Sequence, residues 1–560
     1  MTKTLAFAHR WLGIAGGALF VLWFFSGLVM LYVRMPALDP VERLARIPPL
    51  DLDAVRVHPA DAAHAAGLRP DRVRIGMLDE RPVYRFAESG SWSAVLADDG
   101  QVVLGLRDHQ ALQVASSFAP SCAATMRHDR FLSAPDQWTL QLRALLPLHR
   151  IACGDRERTM FYVSDRTAEV VLRTTRGHRF WAYLGPVTHW IYFTPLRRHG
   201  ELWLDCLIAA SFAGCLLALS GLTVGISRLL LRGQQDTALC DRSSGSNAAV
   251  AFPERSATRI SSAFRRGQPV RSPYTGSLRW HHYAGLVFGL VTFGWVLSGG
   301  LSLDPLDWHT STAPSRAQRE AVAGGPLRLE ALDPDRLRAA VGHLASSFHP
   351  REVEAVQFQG QPFLLAYRPS PPGEPRARRI DREPSEFLST VLPLEHALVS
   401  VLEPSRVPPG LDEPTLLAAA ALAMPDARAE DATLLTSYDA YYYDRAGELP
   451  LPVLRVRFDD ARRTWLYLDP GRGLLLRRED RSSRLDRWLY RALHRWDFPG
   501  LYARRPLWDV VVILLLLGGL ALSTTSIAPA LRRLRRHATR GLGRAWRGTR
   551  EEGQDQDPTS

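Results

Sequence analysis

Lysine is almost missing from this 560-residue chain: of 69 lysines and arginines, only Lys3 is a lysine. Arginine is spread over every segment rather than gathered into a patch. The net charge of +12 therefore reflects base composition and membrane-flanking charge, and no nucleic-acid partner is expected. Cysteine is scarce, five in all, and CxxC and CxxCH are absent, which excludes thioredoxin chemistry, zinc ribbons and covalent c-type haem attachment. No GxGxxG follows a strand, and neither GxxxxGK[ST] nor HExxH occurs. Dinucleotide binding, ATP hydrolysis and zinc proteolysis are left without a motif.

What the chain does have is four long apolar runs. Trp11 to Val33, Cys206 to Ser227, Tyr283 to Leu303 and Val510 to Leu531 each lack a charged residue for 21 to 23 positions. That length crosses a hydrocarbon core of about 30 Å as helix. The first run is too long for a signal peptide and no small-residue cleavage site follows it, so it reads as a retained anchor. No span carries a charged residue at its middle, which disfavours a coupled transporter. The linker from Arg228 to Arg279 holds nine arginines against Asp236, Asp241 and Glu254, and Arg532, Arg533, Arg535 and Arg536 follow the last run. Positive flanks stay inside, so the expected topology is multi-pass in a bacterial inner membrane, with both termini cytoplasmic and both long segments periplasmic. Cys122 and Cys153 share the first of these segments and form a candidate disulfide.

The spans repeat. At an offset of 272, His9, Gly13, Gly17, Trp23, Ser26 and Gly27 fall on His281, Gly285, Gly289, Trp295, Ser298 and Gly299. Helical periodicity puts the imidazole and the glycines of each copy on one face, which reads as a haem slot or as a close helix-packing stripe. At an offset of 305, His189, Phe193, Leu202 and Trp203 fall on His494, Phe498, Leu507 and Trp508, each set leading into a span. Upstream of each, Met160–Val163 with Val170–Leu172, and Trp465–Leu468 with Leu474–Leu476, read as β-hairpins. His9 and His281 then lie near the cytoplasmic face, and His189 and His494 near the periplasmic one. Pairing across an axis along the membrane normal gives two bis-histidine levels, each able to take the iron of a b-type haem. His282, beside His281, and His199, nearer its span than His189, remain alternative ligands. His149, His178, His309 and His396 have no counterpart in the other half and read as surface or core histidines. The run Tyr438–Asp444 reads as a half-buried strand.

His9-Arg10-Trp11-Leu12-Gly13 with Phe25-Ser26-Gly27, Tyr183-Leu184-Gly185 with His189-Trp190-Ile191-Tyr192-Phe193, and Leu493-His494 with Asp497-Phe498-Pro499 carry a resemblance over nearly the whole length. The chain resembles the PepSY-associated transmembrane proteins, which include inner-membrane siderophore reductases carrying haem b. Ser526 stands where that family more usually has glycine. The resemblance implies a membrane protein of four transmembrane α-helices in two tandem repeats, with two α+β PepSY-like periplasmic domains. The expected divisions are 1–33 (N-terminus and first span), 34–201 (first periplasmic domain), 202–227 (second span), 228–280 (cytoplasmic linker), 281–303 (third span), 304–506 (second periplasmic domain), 507–531 (fourth span) and 532–560 (basic tail). It implies haem-iron ligation by His9, His281, His189 and His494 as two matched pairs, hence two haems b, with no catalytic residue identified. The expected partners are membrane lipid, an external donor that is a quinol or a cytoplasmic reductase, and a periplasmic acceptor such as a ferric siderophore. The alternative is a regulatory or protease-modulating membrane protein without redox activity.

Overall fold

The computed structural model describes residues 2–243, 272–345, 347–369, 394–405, 411–445 and 449–552. Within four long helices lie the apolar stretches Lys3–Met30, Gly200–Leu230, Gly276–Leu301 and Leu507–Thr539. The shortest has 26 residues, about 39 Å of helix at 1.5 Å per residue, so each is long enough to cross a bilayer. Each begins or ends beyond the uncharged run itself, because main-chain hydrogen bonds continue where side-chain polarity changes. The chain divides into two compact units. Met1–Leu28, Glu201–Pro305 and Leu489–Ser560 form the first, and Val29–Gly200 with Leu306–Trp488 the second.

In the first unit, large apolar side chains such as Phe212, Val287, Leu290 and Leu514 point outward, as a lipid-facing surface requires. Inside, glycines admit rings and branched side chains from neighbouring helices. Gly518 receives the Phe288 ring and Gly519 the Phe24 ring, while a Cβ on Gly214 would lie 2.9 Å from Val296 Cγ1 and 3.2 Å from Phe20 Cζ. Apolar helices gain little from leaving one lipid-like surface for another, so such close packing holds them together.

The second unit is α+β. Its largest sheet has seven antiparallel strands in the order β11-β10-β9-β1-β2-β3-β4. Here β1 is Arg72–Leu78, β2 Arg81–Glu88, β3 Ser91–Leu96, β4 Val102–Val103, β9 Glu352–Phe358, β10 Gln361–Arg368 and β11 Glu395–Ser400. The two long segments of the chain meet at the β1–β9 ladder, where Val73 faces Ala355 and Ile75 faces Val353. A reading of each segment by itself does not provide that union. Val73, Ile75, Tyr84, Phe86, Val353, Leu364 and Val399 bury one face of the sheet with Leu337, Ala340 and Leu344 of the helix Pro334–Ala345.

Two four-stranded antiparallel sheets complete the unit. One contains β5 (Arg127–Leu132), β6 (Leu148–Ala152), β7 (Met160–Ser164) and β8 (Val170–Thr174). The other contains β12 (Ala429–Leu435), β13 (Val453–Phe458), β14 (Trp465–Asp469) and β15 (Leu474–Glu479). Both expected hairpins are present as β7–β8 and β14–β15. Tyr438–Asp444 is not a strand. Asp439 Oδ1 accepts the backbone N–H groups of Tyr441 at 2.7 Å and Tyr442 at 2.6 Å, a local turn that removes these donors from a ladder. Tyr442 is instead buried by stacking on Tyr467, with ring centroids 5.0 Å apart.

Beside the β1–β9 junction, Arg43, Arg74 and Arg85 surround Glu169 and Glu352, all five buried. Arg43 donates to Glu169 at 3.1 Å and to Glu352 at 2.7 Å, and Arg74 reaches the same two carboxylates at 3.1 and 3.3 Å. Burial alone opposes ionisation of Glu352, but Arg43 and Arg74 outweigh it and hold the carboxyl down at about 2. Cys122 and Cys153 form a disulfide with Cα atoms 6.0 Å apart, closing the helix Asp108–Phe118 and its following turn onto β6.

Candidate functional site

Two of the four repeated histidines meet in the first unit. His9 lies on the helix Thr2–Met30 and His281 on Gly276–Leu301, and their ring centroids are 6.3 Å apart. Each ring is oriented from behind by another helix. His9 Nδ1 donates to the Leu217 carbonyl at 3.1 Å, and His281 Nδ1 to the Leu522 carbonyl, also at 3.1 Å. A carbonyl only accepts, so each neutral imidazole carries its proton on Nδ1 and its lone pair on Nε2. Ser220 Oγ, 3.3 Å from His9 Nδ1, and Thr525 Oγ1, 3.5 Å from His281 Nδ1, occupy matching places on the second and fourth long helices. Leu217 and Ser220 fall on Leu522 and Thr525 at the same 305-residue offset that relates His189 to His494.

Room for His9 comes from Gly221. A Cβ there would lie 2.7 Å from His9 Cε1, closer than real contacts allow. The glycines of the repeated motif serve helix packing: a Cβ on Gly13 would be 3.7 Å from Leu217, on Gly285 3.7 Å from Leu522, and on Gly289 2.8 Å from Leu222. Of the two readings of that stripe, close helix packing describes these contacts.

His282 is used differently. Its Nε2 donates to the Gly225 carbonyl at 3.0 Å, and its Nδ1 accepts from Ser272 Oγ at 3.0 Å. With both nitrogens engaged, it ties the start of the third long helix to the second and has no lone pair left for a metal.

His494 has a seat of its own near the opposite end of the third long helix. His494 Nδ1 donates to the Trp295 carbonyl at 3.0 Å, Trp295 Nε1 donates back to the His494 carbonyl at 2.8 Å, and Ser298 Oγ lies 3.3 Å from Nδ1. A Cβ on Gly299 would be 3.1 Å from His494 Cε1. Trp295, Ser298 and Gly299 of the repeated set therefore receive an imidazole. His281 and Trp295 are 14 positions apart, or about 21 Å along the helix. Burial pushes the His494 imidazole down to about 4, so the ring is neutral near pH 7.

His189 belongs to the second unit, and His199 in the same unit is exposed. The local path through His189 matches that through His494. A π-helical turn precedes each, Tyr183–Val187 and Arg487–Ala492, and a left-handed residue follows two positions later, Ile191 at φ 50° and Trp496 at φ 57°. Non-glycine residues seldom adopt that backbone, and π turns recur at functional sites. Gln137 holds the stretch beyond His189 from both ends of its amide: Nε2 donates to the Tyr192 carbonyl at 2.7 Å, and Oε1 accepts from Thr194 N at 3.1 Å and Oγ1 at 2.8 Å.

Sequence reasoning did not find Leu217, Leu522, Ser220, Thr525 or Gln137. The 305-residue offset contained a signal for the first four, since they recur at it, but a carbonyl partner has no side-chain signature. The chain matches no protein-family model and no curated protein.

Proposed function

We propose that this chain is a haem-dependent electron-transfer protein of the bacterial inner membrane, in which His9 and His281 ligate a b-type haem near the cytoplasmic face. The His9–His281 pair carries the reading. The two ring centroids lie 6.3 Å apart, and these imidazoles would hold the iron of a b-type haem. The donor chemistry fits as well. Leu217 and Leu522 fix each ring and direct its lone pair to Nε2, the outer hydrogen bond that metal-bound histidine ordinarily makes. When bound, haem b supplies a one-electron carrier inside an apolar helical core.

The protein's own groups do the remaining work. The two carbonyls hold the imidazoles against rotation. Gly221 keeps the His9 position open. The sequence repeat gives His494 its counterpart in His189, and the seat that Trp295 and Ser298 provide for His494 supports a ligand role for His494 near the periplasmic face. The arginine-rich linker and tail favour a cytoplasmic location for both termini. The long segments then lie in the periplasm, and the Cys122–Cys153 disulfide suits that oxidising compartment.

The donor is a quinol or a cytoplasmic reductase, and the acceptor is a ferric chelate of the siderophore class. One electron converts Fe(III) to Fe(II), which hard oxygen ligands hold more weakly, so reduction releases the metal. Vesicles containing the purified protein and a quinol test this directly: they should reduce an external ferric hydroxamate, with Fe(II) captured by a chromogenic chelator. His281→Ala should abolish that reduction. Equal rates for wild type and His281→Ala, with no b-type absorption in either, would overturn the proposal and leave the regulatory, protease-modulating reading.

A further inference from the structure

A second group of histidines lies in the second unit, on the sheet β5–β8. His128 on β5 and His149 on β6 are brought together by an irregular register: His128 faces Ile151 and Arg130 faces Arg150, with a shift between His128 and Arg130. Such a shift re-aims side chains along a strand. His128 Nε2 ends 3.1 Å from His149 Nδ1. Asp108, in the first turn of the helix Asp108–Phe118, adds a carboxylate, with Oδ1 3.7 Å from His149 Nδ1 and Oδ2 3.4 Å from His128 Nδ1.

We infer that Asp108, His128 and His149 form a binding site for a first-row divalent transition-metal cation of the Zn2+ class. The three side chains offer one ligand atom each, all within 4.8 Å of one another. Bonds of about 2 Å at tetrahedral angles separate donors by about 3.3 Å, close to the 3.1 Å between His128 Nε2 and His149 Nδ1 and the 3.7 Å between His149 Nδ1 and Asp108 Oδ1. Two imidazoles and one carboxylate select a borderline cation over Ca2+ or Mg2+, which favour all-oxygen sites.

The surroundings prepare the donors. His149 Nε2 donates to Asp165 Oδ1 at 3.3 Å, which leaves the lone pair on Nδ1, facing His128. The same Asp165 oxygen accepts the Leu106 N–H at 2.6 Å, so one carboxylate orients the ligand ring and anchors the loop that delivers Asp108. This carboxylate–histidine arrangement is the usual support of a zinc ligand. His149 is buried, its ring against Phe131 with centroids 5.0 Å apart, whereas Asp108 is exposed and gives a cation a way in from solvent. The site involves none of the four repeated histidines, so it stands or falls separately from the haem reading.

Zn2+ titration of the full-length, detergent-purified protein, stripped with chelator and carrying no polyhistidine tag, tests the site, with haem content recorded on the same samples. Wild type should take up one Zn2+ per chain at this site. His128→Ala and Asp108→Ala should each lower the affinity at least tenfold without changing haem content. Asp165→Asn should keep the stoichiometry but lose about 10- to 100-fold in affinity. A His9→Ala, His281→Ala double variant should retain this Zn2+, which separates it from adventitious uptake by the membrane histidines. Because Asp108 is exposed, its replacement tests binding without endangering the fold. Wild type that binds no Zn2+, or His128→Ala and Asp108→Ala variants that bind as tightly as wild type, would overturn the assignment.

Discussion

The polar clusters of the two units differ. Between the long helices of the first unit they are imidazoles: Nδ1 of His9 and of His281, and both nitrogens of His282, meet main-chain carbonyls or hydroxyls. In the sheet unit they are charged, with Arg43, Arg74 and Arg85 closed around Glu169 and Glu352. Among apolar helices an imidazole is stable if one nitrogen is satisfied, and the other is left with a lone pair that can act on a ligand. A buried ionic cluster leaves no such capacity, because every charge is committed to a partner. The neutral network thus keeps lone pairs available, and the ionic one joins distant chain segments.

Breaking the ionic cluster should have the largest effect on stability. Glu352→Ala strands Arg43 and Arg74 in the interior and should cost the sheet unit about 3–5 kcal/mol, measured by denaturant unfolding. Acid tests the same cluster. The folded pKa of Glu352, about 2, lies below the ordinary glutamate value of about 4.3. Its stabilising contribution is therefore complete above about pH 4.3 and is lost as pH falls from there toward 2. Unfolding midpoints across that range should fall in wild type and change less in Glu352→Gln.

On the neutral side, Gly221→Val should displace the His9 ring and lower the haem content of purified protein, whereas Ser526→Gly at the matching position should not. The smallest effect belongs to the hydroxyls. Thr525→Ala removes a long contact to His281 Nδ1, worth no more than about 1 kcal/mol, and should move the haem midpoint potential by at most a few tens of millivolts in a redox titration.

The spans were legible because 21 to 23 uncharged residues have few structural alternatives, and the two hairpins because turn residues separate strongly β-forming runs. The pairing of His9 with the Leu217 carbonyl was not legible, since a main-chain acceptor is the same at every residue. Nor was the β1–β9 junction, which joins strands about 280 positions apart through a ladder with no sequence mark. Tyr438–Asp444 misled because aromatic propensity was weighed without the Asp439 side chain, which captures the backbone donors a strand would need. His149 is buried, as a core histidine is, and its approach to His128 at 3.1 Å through β5 was not legible, since the irregular β5–β6 register has no sequence mark.

The most direct test of the central claim is haem b per chain, by pyridine haemochrome, in wild type and the His9→Ala, His281→Ala and His282→Ala variants. The account predicts that His9→Ala and His281→Ala each lose the same haem, while His282→Ala retains it. Retention of full haem in His9→Ala or His281→Ala, or its loss in His282→Ala alone, would contradict the account.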